Sequence, residues 1–387
     1  VRCEKAYATP VNVGSALIYR AFFRLVLQRV DPERAHAIAA ATLRLAAAVP
    51  GALWALRHLL PPRGEALRVR ALGLEFASPL GVAAGVDKNA TWFEPLLALG
   101  FGAVEVGTVT AHAQPGNPRP RVTRFPAQRA LLNAMGFPND GAEAVAPRLA
   151  GPRHGVIGIN VGKSKLAELD EAVADYRGSV RLLAPHADYL VLNVSSPNTP
   201  GLREMQAVER LAALIDGVRE ELGAAGCGEL PLLVKLAPDL EDAEIEAIAD
   251  LALERRLAGI VATNTTVDHS VLPPGATEAL PHGGGVSGEP LRPRALTVLR
   301  LLHARVGGRI ALVAAGGIAD ADDAWERILA GATLLQAYTG FVYGGPLWPR
   351  RLNRGLERRL RESPWSTLGE AVGQGEPQAG PPQSART

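Results

Sequence analysis

Between residues 80 and 337 the chain repeats one unit eight times: a short apolar run, then a longer stretch with helical spacing. The runs occupy residues 80–84, 103–109, 156–161, 189–194, 232–236, 259–262, 310–314 and 333–337. Their length and lack of alternation fit strands buried on both faces, as in a parallel sheet. The segments between them, for instance 208–222 and 243–256, are amphipathic at helical period. Strict strand–helix alternation defines an α/β fold, and eight units over ~250 residues predict a closed (β/α)8 TIM barrel. An open doubly wound sheet is the competing arrangement. It is disfavoured because no strand is followed by a G-x-G-x-x-G turn.

What precedes the barrel reads as a small N-terminal α-helical domain, residues 1–64. No export signal is evident in residues 1–12. Residues 13–30 are apolar on most sides (Leu17, Ile18, Phe22, Phe23, Leu25, Val26), with Arg20, Arg24 and Gln28 in one narrow polar stripe. Two arginines make that segment a poor transmembrane span. Asp31-Pro32-Glu33 starts a second helix, with Asp31 as its cap and Pro32 in its first turn. It runs to about residue 49, and Pro50-Gly51 separates it from a third helix over 52–60. Pro61-Pro62-Arg63-Gly64 links this domain to the barrel domain, 65–361, which opens with a hairpin over 69–76. The helices either pack on the barrel or lie on a bilayer with arginines at the headgroups; the pattern leaves both open. Residues 362–387 are rich in Gly, Pro, Gln and Ser and are expected to be disordered.

Charge and cysteine content exclude several classes. The net charge is +2 and the basic residues are scattered, so nothing calls for nucleic acid. Cys3 and Cys227 are too few for a disulfide framework or a thiolate metal site.

In a barrel the C-terminal strand ends converge on one face. Here they read Ala84-Gly-Val-Asp-Lys-Asn89, Gly107-Thr108, Asn160-Val-Gly-Lys163, Asn193-Val-Ser-Ser-Pro-Asn-Thr-Pro-Gly-Leu-Arg203, Lys235-Leu-Ala-Pro-Asp239, Thr263-Asn-Thr-Thr266, Gly316-Gly317 and Tyr338-Thr-Gly340. The fourth is the richest: amides and hydroxyls crowd a loop stiffened by Pro197 and Pro200. Gly316-Gly317 and Thr339-Gly340 follow strands seven and eight, where such barrels cradle phosphate. The face carries lysines, amides and hydroxyls but no His or carboxylate cluster, which argues against a metal site and against paired-carboxylate glycoside chemistry. Lysines beside amides suit a planar, electron-rich, partly anionic ring. FMN fits both clues.

Six motifs in one order, Ala-Gly-Val-Asp-Lys-Asn, Gly-Asn-Pro-Arg-Pro-Arg, Asn-x-Met-Gly-Phe, Asn-x-Ser-Ser-Pro-Asn-Thr-Pro-Gly-Leu-Arg, Val-Lys-x-Ala-Pro-Asp and Thr-Asn-Thr-Thr, resemble the dihydroorotate dehydrogenase family. The likeness, from about Tyr19 to Arg358, is to its quinone-dependent, membrane-associated class. It implies oxidation of dihydroorotate to orotate in pyrimidine biosynthesis, with Ser196 taking the C5 proton and FMN the C6 hydride. Thr199 and Phe137 would support Ser196. The implied substrate residues are Lys88, Asn133, Ala134, Met135, Gly136, Phe137, Asn193, Asn198, Asn264 and Thr265. The implied FMN residues are Ala84, Gly85, Val86, Asp87, Lys88, Thr108, Asn160, Asn193, Lys235, Thr263, Gly288, Gly317, Tyr338 and Thr339, with Lys235 facing the ring's N1/O2 edge. No metal is implied.

The same likeness makes the helical domain a bilayer-surface module leading a membrane quinone, ubiquinone or menaquinone, through a tunnel lined by His36, Arg124 and Tyr338. It implies a monomer held peripherally on the cytoplasmic side of a bacterial inner membrane. Thr123, Phe125 and Pro138 depart from the family's usual residues. Ser196 in place of cysteine, together with the helical extension, separates the chain from the soluble class. A hydroxyacid-oxidase type of FMN barrel would need a catalytic His and an Arg at the strand ends, which are absent there.

Overall fold

Side chains with no room for solvent on either face force the apolar runs into a closed sheet. The computed structural model describes residues 10–62, 64–280 and 283–375. Helices α1 (Pro10–Leu25), α2 (Pro32–Ala48) and α3 (Ala52–Leu59) come first, followed by an antiparallel hairpin of β1 (Val69–Ala71) and β2 (Leu74–Phe76). The barrel then begins with β3 (Leu80–Val82), α4 (Phe93–Ala98) and β4 (Ala103–Val109). An excursion supplies β5 (Val122–Phe125), β6 (Ala130–Asn133) and α5 (Ala142–Leu149). Next are β7 (Val156–Val161), α6 (Ala172–Leu183), β8 (Tyr189–Asn193), α7 (Val208–Ala224), β9 (Leu232–Leu236), α8 (Asp242–Glu254) and β10 (Gly259–Ala262). After β11 (Gly285–Gly288) and α9 (Arg292–Val306) the barrel finishes with β12 (Ala311–Ala315), α10 (Ala321–Leu329), β13 (Leu334–Ala337), α11 (Thr339–Gly344) and α12 (Trp348–Glu362).

The parallel strands run β3-β4-β7-β8-β9-β10-β12-β13 and close through the pairing of Leu335 with Leu80, so the expected eight-stranded barrel is present. Strands β4, β8, β9, β10 and β13 are buried along their whole length. That is why they show no alternation in sequence.

Three features differ from the sequence reading. The helix expected over 13–30 ends at Leu25, where the Arg29 guanidinium takes the last-turn carbonyls of Arg24 and Leu25. A 3-10 turn, Leu27–Arg29, then leads to Asp31, whose carboxylate caps α2 through the Arg34 amide at 2.9 Å. Second, the stretch read as a loop at 131–137 begins in β6, the centre of a three-stranded antiparallel sheet ordered β11-β6-β5. Leu132 and Val286 fill a small core of their own beneath it.

Third, the tail expected to be disordered from 362 is ordered to Gly375. Thr367 caps a short helix, α13 (Leu368–Ala371), Trp365 packs on Trp325, and Leu368 and Ala371 are buried. The Gly373 and Gly375 amides bond the Ile328 and Leu329 carbonyls at the end of α10. The rest of that expectation, residues 376–387, lies outside the described residues, as do residues 1–9.

The helical extension is docked on the barrel. Leu60 belongs to the main core, and Arg57 pairs with Glu94 of α4. Glu33 of α2 grips Arg121 at 2.9 Å and Arg119 at 3.0 Å. Phe23 of α1 is buried against Tyr343, ring centroids 5.1 Å apart.

Candidate active site

A cavity of about 1320 Å³, open mouth included, sits at the C-terminal ends of the strands and is walled on one side by the three-stranded sheet. Most of the expected residues meet there: Ala84, Gly85, Lys88, Thr108, Asn133, Met135, Gly136, Phe137, Asn193, Ser196, Asn198, Lys235, Thr263, Asn264, Thr265, Gly288, Gly317, Tyr338 and Thr339 all line it.

The fourth strand end carries two serines, and packing separates them. Ser195 is fully buried, its hydroxyl held at 3.0 Å by the Asn264 amide and turned to Asn193 at 3.2 Å. Ser196 faces the cavity, and its Oγ accepts the Asn198 N–H at 3.2 Å. Arg203 holds this loop in place, bonding the Ser195 carbonyl, the Thr265 carbonyl and the Asp239 carboxylate. The asparagines are tied in pairs. Asn198 donates to the Asn133 carbonyl at 3.2 Å, and Asn264 reaches the Asn193 side chain at 3.4 Å. Asn193 in turn donates to Thr108 at 2.9 Å and Asn160 at 3.1 Å. Their side-chain geometry is therefore preset.

Lys88 donates to the Gly85 carbonyl at 2.6 Å. Burial pulls its ammonium down to about 8, against the charge of Glu33, while Arg121 adds to the fall and Asp87 opposes it. Lys235 is buried, and among the described residues it finds no hydrogen-bond acceptor; burial lowers its pKa and the charge of Glu105 opposes this. A third strand-end lysine, Lys163, bonds the Ser164 and Ala167 carbonyls and is not part of the lining.

Some expected residues stand behind the wall. Asn160 is fully buried and joins Thr108, Asn193 and Glu105. The Asp87 carboxylate takes the Thr91 amide at 3.0 Å and the Trp92 amide at 2.8 Å, so it shapes the Lys88 loop. Val86 and Ala134 are buried outside the lining. Thr199 is buried too and does not reach the cavity surface.

Of the tunnel residues, Tyr338 lines the cavity; burial pushes its phenol up to about 12, with the Glu33 charge adding. His36 lies edge-on to Trp92 at 5.4 Å. Burial pulls its imidazole down to about 4; the Lys88 charge adds to this, and a hydrogen bond to the Val86 backbone opposes it. Arg124 lies over the Phe23 ring at 5.8 Å and bonds the Val30 carbonyl.

Among the residues missed from sequence, two polar ones lie inside barrel strands. Glu105, inside β4, is fully buried and accepts from Asn160 at 2.8 Å and from Gln336. Gln336, inside β13, lines the cavity, and its Oε1 has no hydrogen-bond partner among the described residues. A charged or amide side chain inside an otherwise apolar buried strand was the signal, because such a group must be paired or aimed at a ligand.

A family model for dihydroorotate dehydrogenase matches residues 66–360. The chain is 54% identical over 363 residues to the dihydroorotate dehydrogenase (quinone) of Thermobifida fusca, covering 92% of this chain and 96% of that one. It is 53% identical over 361 residues to the enzyme of that name from Streptomyces coelicolor, covering 92% and 98%. Two crystal structures of the Eimeria tenella dihydroorotate dehydrogenase, each 35% identical and covering 89% of this chain, superpose similarly. The ligand-free form gives a TM-score of 0.79 over 99% of its chain, and the ferulenol complex 0.77 over 95%. With the barrel closed as expected and the family's extent matched nearly end to end, this chain belongs to the dihydroorotate dehydrogenase family.

Proposed function

We propose that this chain oxidises dihydroorotate to orotate in the barrel mouth, using FMN, and passes the electrons to a membrane quinone. The observation that carries the reading is that Lys88, Ser196, Lys235 and four paired asparagines share one cavity, with a glycine turn at its edge. The residues fit the flavin. Gly316 and Gly317 both take positive φ, 104° and 72°, which lets backbone amides approach an anion. Lys235 supplies a buried cation, without a hydrogen-bond acceptor among the described residues, for the electron-rich side of the ring. Bound there, FMN would accept the hydride leaving C6 of the substrate.

The chain's own residues do the rest. Asn133, Asn193, Asn198 and Asn264 offer donors and acceptors to the imide edge and carboxylate of a flat pyrimidine. Lys88 sets a positive charge between substrate and ring. Ser196 takes the C5 proton while its hydroxyl passes its own proton on through a water relay, and the Asn198 N–H donating to Oγ steadies the alkoxide character that develops in between. The β11-β6-β5 sheet and the stiff 197–200 loop limit water around the hydroxyl.

The N-terminal helices serve the second half-reaction. Of the thirteen large apolar side chains exposed among the described residues, ten lie on residues 17–59. Among the described residues no single helix is long and apolar enough to cross a membrane; only the pair Pro32–Ala48 and Ala52–Leu59, bent by 105°, passes on length and composition together. Such faces suit a module lying on the cytoplasmic side of the inner membrane. His36, Arg124 and Tyr338 would line the quinone's path inward. We assign a peripheral monomer.

Anaerobic mixing of the purified yellow protein with dihydroorotate tests the reading. The flavin absorbance should bleach, and it should recover on adding a long-chain quinone. Flavin that stays oxidised would overturn the assignment.

A further inference from the structure

Arg327 is the largest fully buried side chain among the described residues, 1% exposed, and sits on α10 outside the cavity lining. A buried guanidinium is costly unless paired, and here its hydrogen bonds go to two backbone carbonyls with the nearest carboxylate, Glu326, at longer range. Nη2 donates to the Arg292 carbonyl at 3.0 Å and to the Gly316 carbonyl at 3.3 Å. Among the described residues Nη1 has no hydrogen-bond partner, and the Glu326 carboxylate lies 3.7 Å from it. Burial lowers its pKa only to about 10, so the charge persists at neutral pH.

Neighbouring contacts follow the same plan. Arg292 donates to the Gly317 carbonyl at 3.4 Å and is held by the Asp323 carboxylate at 2.8 Å. Asp323 also takes the Ala319 amide at 2.8 Å. Two arginines thus pull two successive glycine carbonyls to one side. In a trans peptide the carbonyl and the following N–H point in opposite directions. Holding the Gly316 and Gly317 carbonyls outward therefore turns the Gly317 and Ile318 amides towards the cavity that both residues line. Among the described residues neither amide has an acceptor in the protein. The turn has no slack either: a Cβ on Gly317 would sit 2.4 Å from the Arg292 Cα.

We propose that Arg327 is a positioning residue for the phosphate end of the flavin: from behind the glycine turn it aims the Gly317 amide, and a positive field, at a dianionic phosphate monoester. It selects the phosphorylated ligand without touching it. The proposal rests on the FMN reading above. That reading is tested separately by whether the wild-type chain binds FMN at all.

The experiment strips flavin from the full chain and titrates it with FMN and with riboflavin, which has the same ring and no phosphate. Wild type should prefer FMN strongly; no FMN binding would sink the cofactor reading, not the role of Arg327 within it. Arg327→Met should lose about tenfold or more of that preference, the scale of one hydrogen bond to a charged group, with riboflavin affinity unchanged within about twofold. Arg327→Lys keeps the charge and loses the double carbonyl grip, so it should lose roughly threefold and rescue most of the Met defect. Equal weakening of both ligands, or an unchanged preference, in Arg327→Met overturns the proposal. If that variant does not fold, Arg327→Lys decides: a reduced preference supports the assignment, and a wild-type preference overturns it.

Discussion

At the scale of single residues, Ser196 and Ser195 differ in what surrounds them more than in position. Ser195 is spent on Asn193 and Asn264, and Ser196 alone keeps its hydroxyl on the cavity. Ser196→Ala should therefore keep FMN and slow its reduction by dihydroorotate by about 10²–10⁴, the usual worth of a general base. Ser196→Cys should fall less, since a thiolate forms more easily than an alkoxide. Stopped-flow reduction near neutral pH measures both, and an unchanged rate for the alanine variant removes Ser196 from the mechanism. Lys88 adds a pH dependence. Its pKa of about 8 means the ammonium is present below that pH and lost above it. Because dihydroorotate is an anion, kcat/KM should fall above about pH 8, mainly through a rising KM. A flat profile to pH 9.5 would show that the Lys88 charge does not act on the bound substrate. These residues were legible because strand ends leave the apolar pattern abruptly. Glu105 and Gln336 were not, since each is one polar letter inside an apolar run and only the closed barrel gives it partners.

Among the elements, barrel strands were easy to find and the antiparallel sheet was not. A strand buried on both faces shows as a continuous apolar run, whereas β5 has all four residues only half-buried and reads as loop. The other two strands of that sheet, β6 and β11, pair across a long separation, Asn133 with Gly285, which no local pattern announces. The short helix α13 was hidden for a related reason: Gly, Ser and Pro dominate its surroundings, and its stability comes from contacts with α10. Helix α2 offers a test of how tightly the extension is seated. His36 has a folded pKa of about 4 against an ordinary 6.5, so it enters the folded state neutral. Between those values the unfolded chain binds a proton that the folded chain does not. Stability from this group is full above about pH 6.5 and is lost as pH falls towards 4. Wild type should therefore lose roughly 2 kcal/mol more than His36→Asn between pH 7 and pH 4.5. Thermal melts across that range measure the difference. Parallel curves would mean that His36 is solvated and α2 only loosely placed.

For the molecule as a whole, the sequence left open whether the apolar helices pack on the barrel or face a bilayer, and the structure shows one face packed on the barrel and another exposed. Phe23, Leu60 and the Glu33–Arg121 pair bind the extension to the barrel. Ile18, Phe22 and Leu25 on α1, and Ile38 and Leu45 on α2, remain exposed at helical spacing, as does Trp54 on α3. Hydrophobic pattern alone could not separate these faces, because both kinds of surface want the same side chains. Deleting the extension would confuse the two roles, since it would also strip the pairing from Arg121 and uncover the core at Leu60. Changing only the outward residues keeps the docking intact. Ile18, Leu45 and Trp54 are 73%, 72% and 64% exposed, so replacing them together with serine costs the fold little. If each inserts half of a side chain worth about 2 kcal/mol, the triple variant should lose on the order of a hundredfold in partitioning to phospholipid vesicles. Its flavin should still be reduced by dihydroorotate at the wild-type rate, because the barrel mouth is untouched. Turnover with a long-chain quinone in vesicles should drop sharply, while a small soluble quinone should still work. A folded, yellow triple variant that kept its vesicle binding and long-chain quinone turnover would mean that these faces await some other partner than a bilayer.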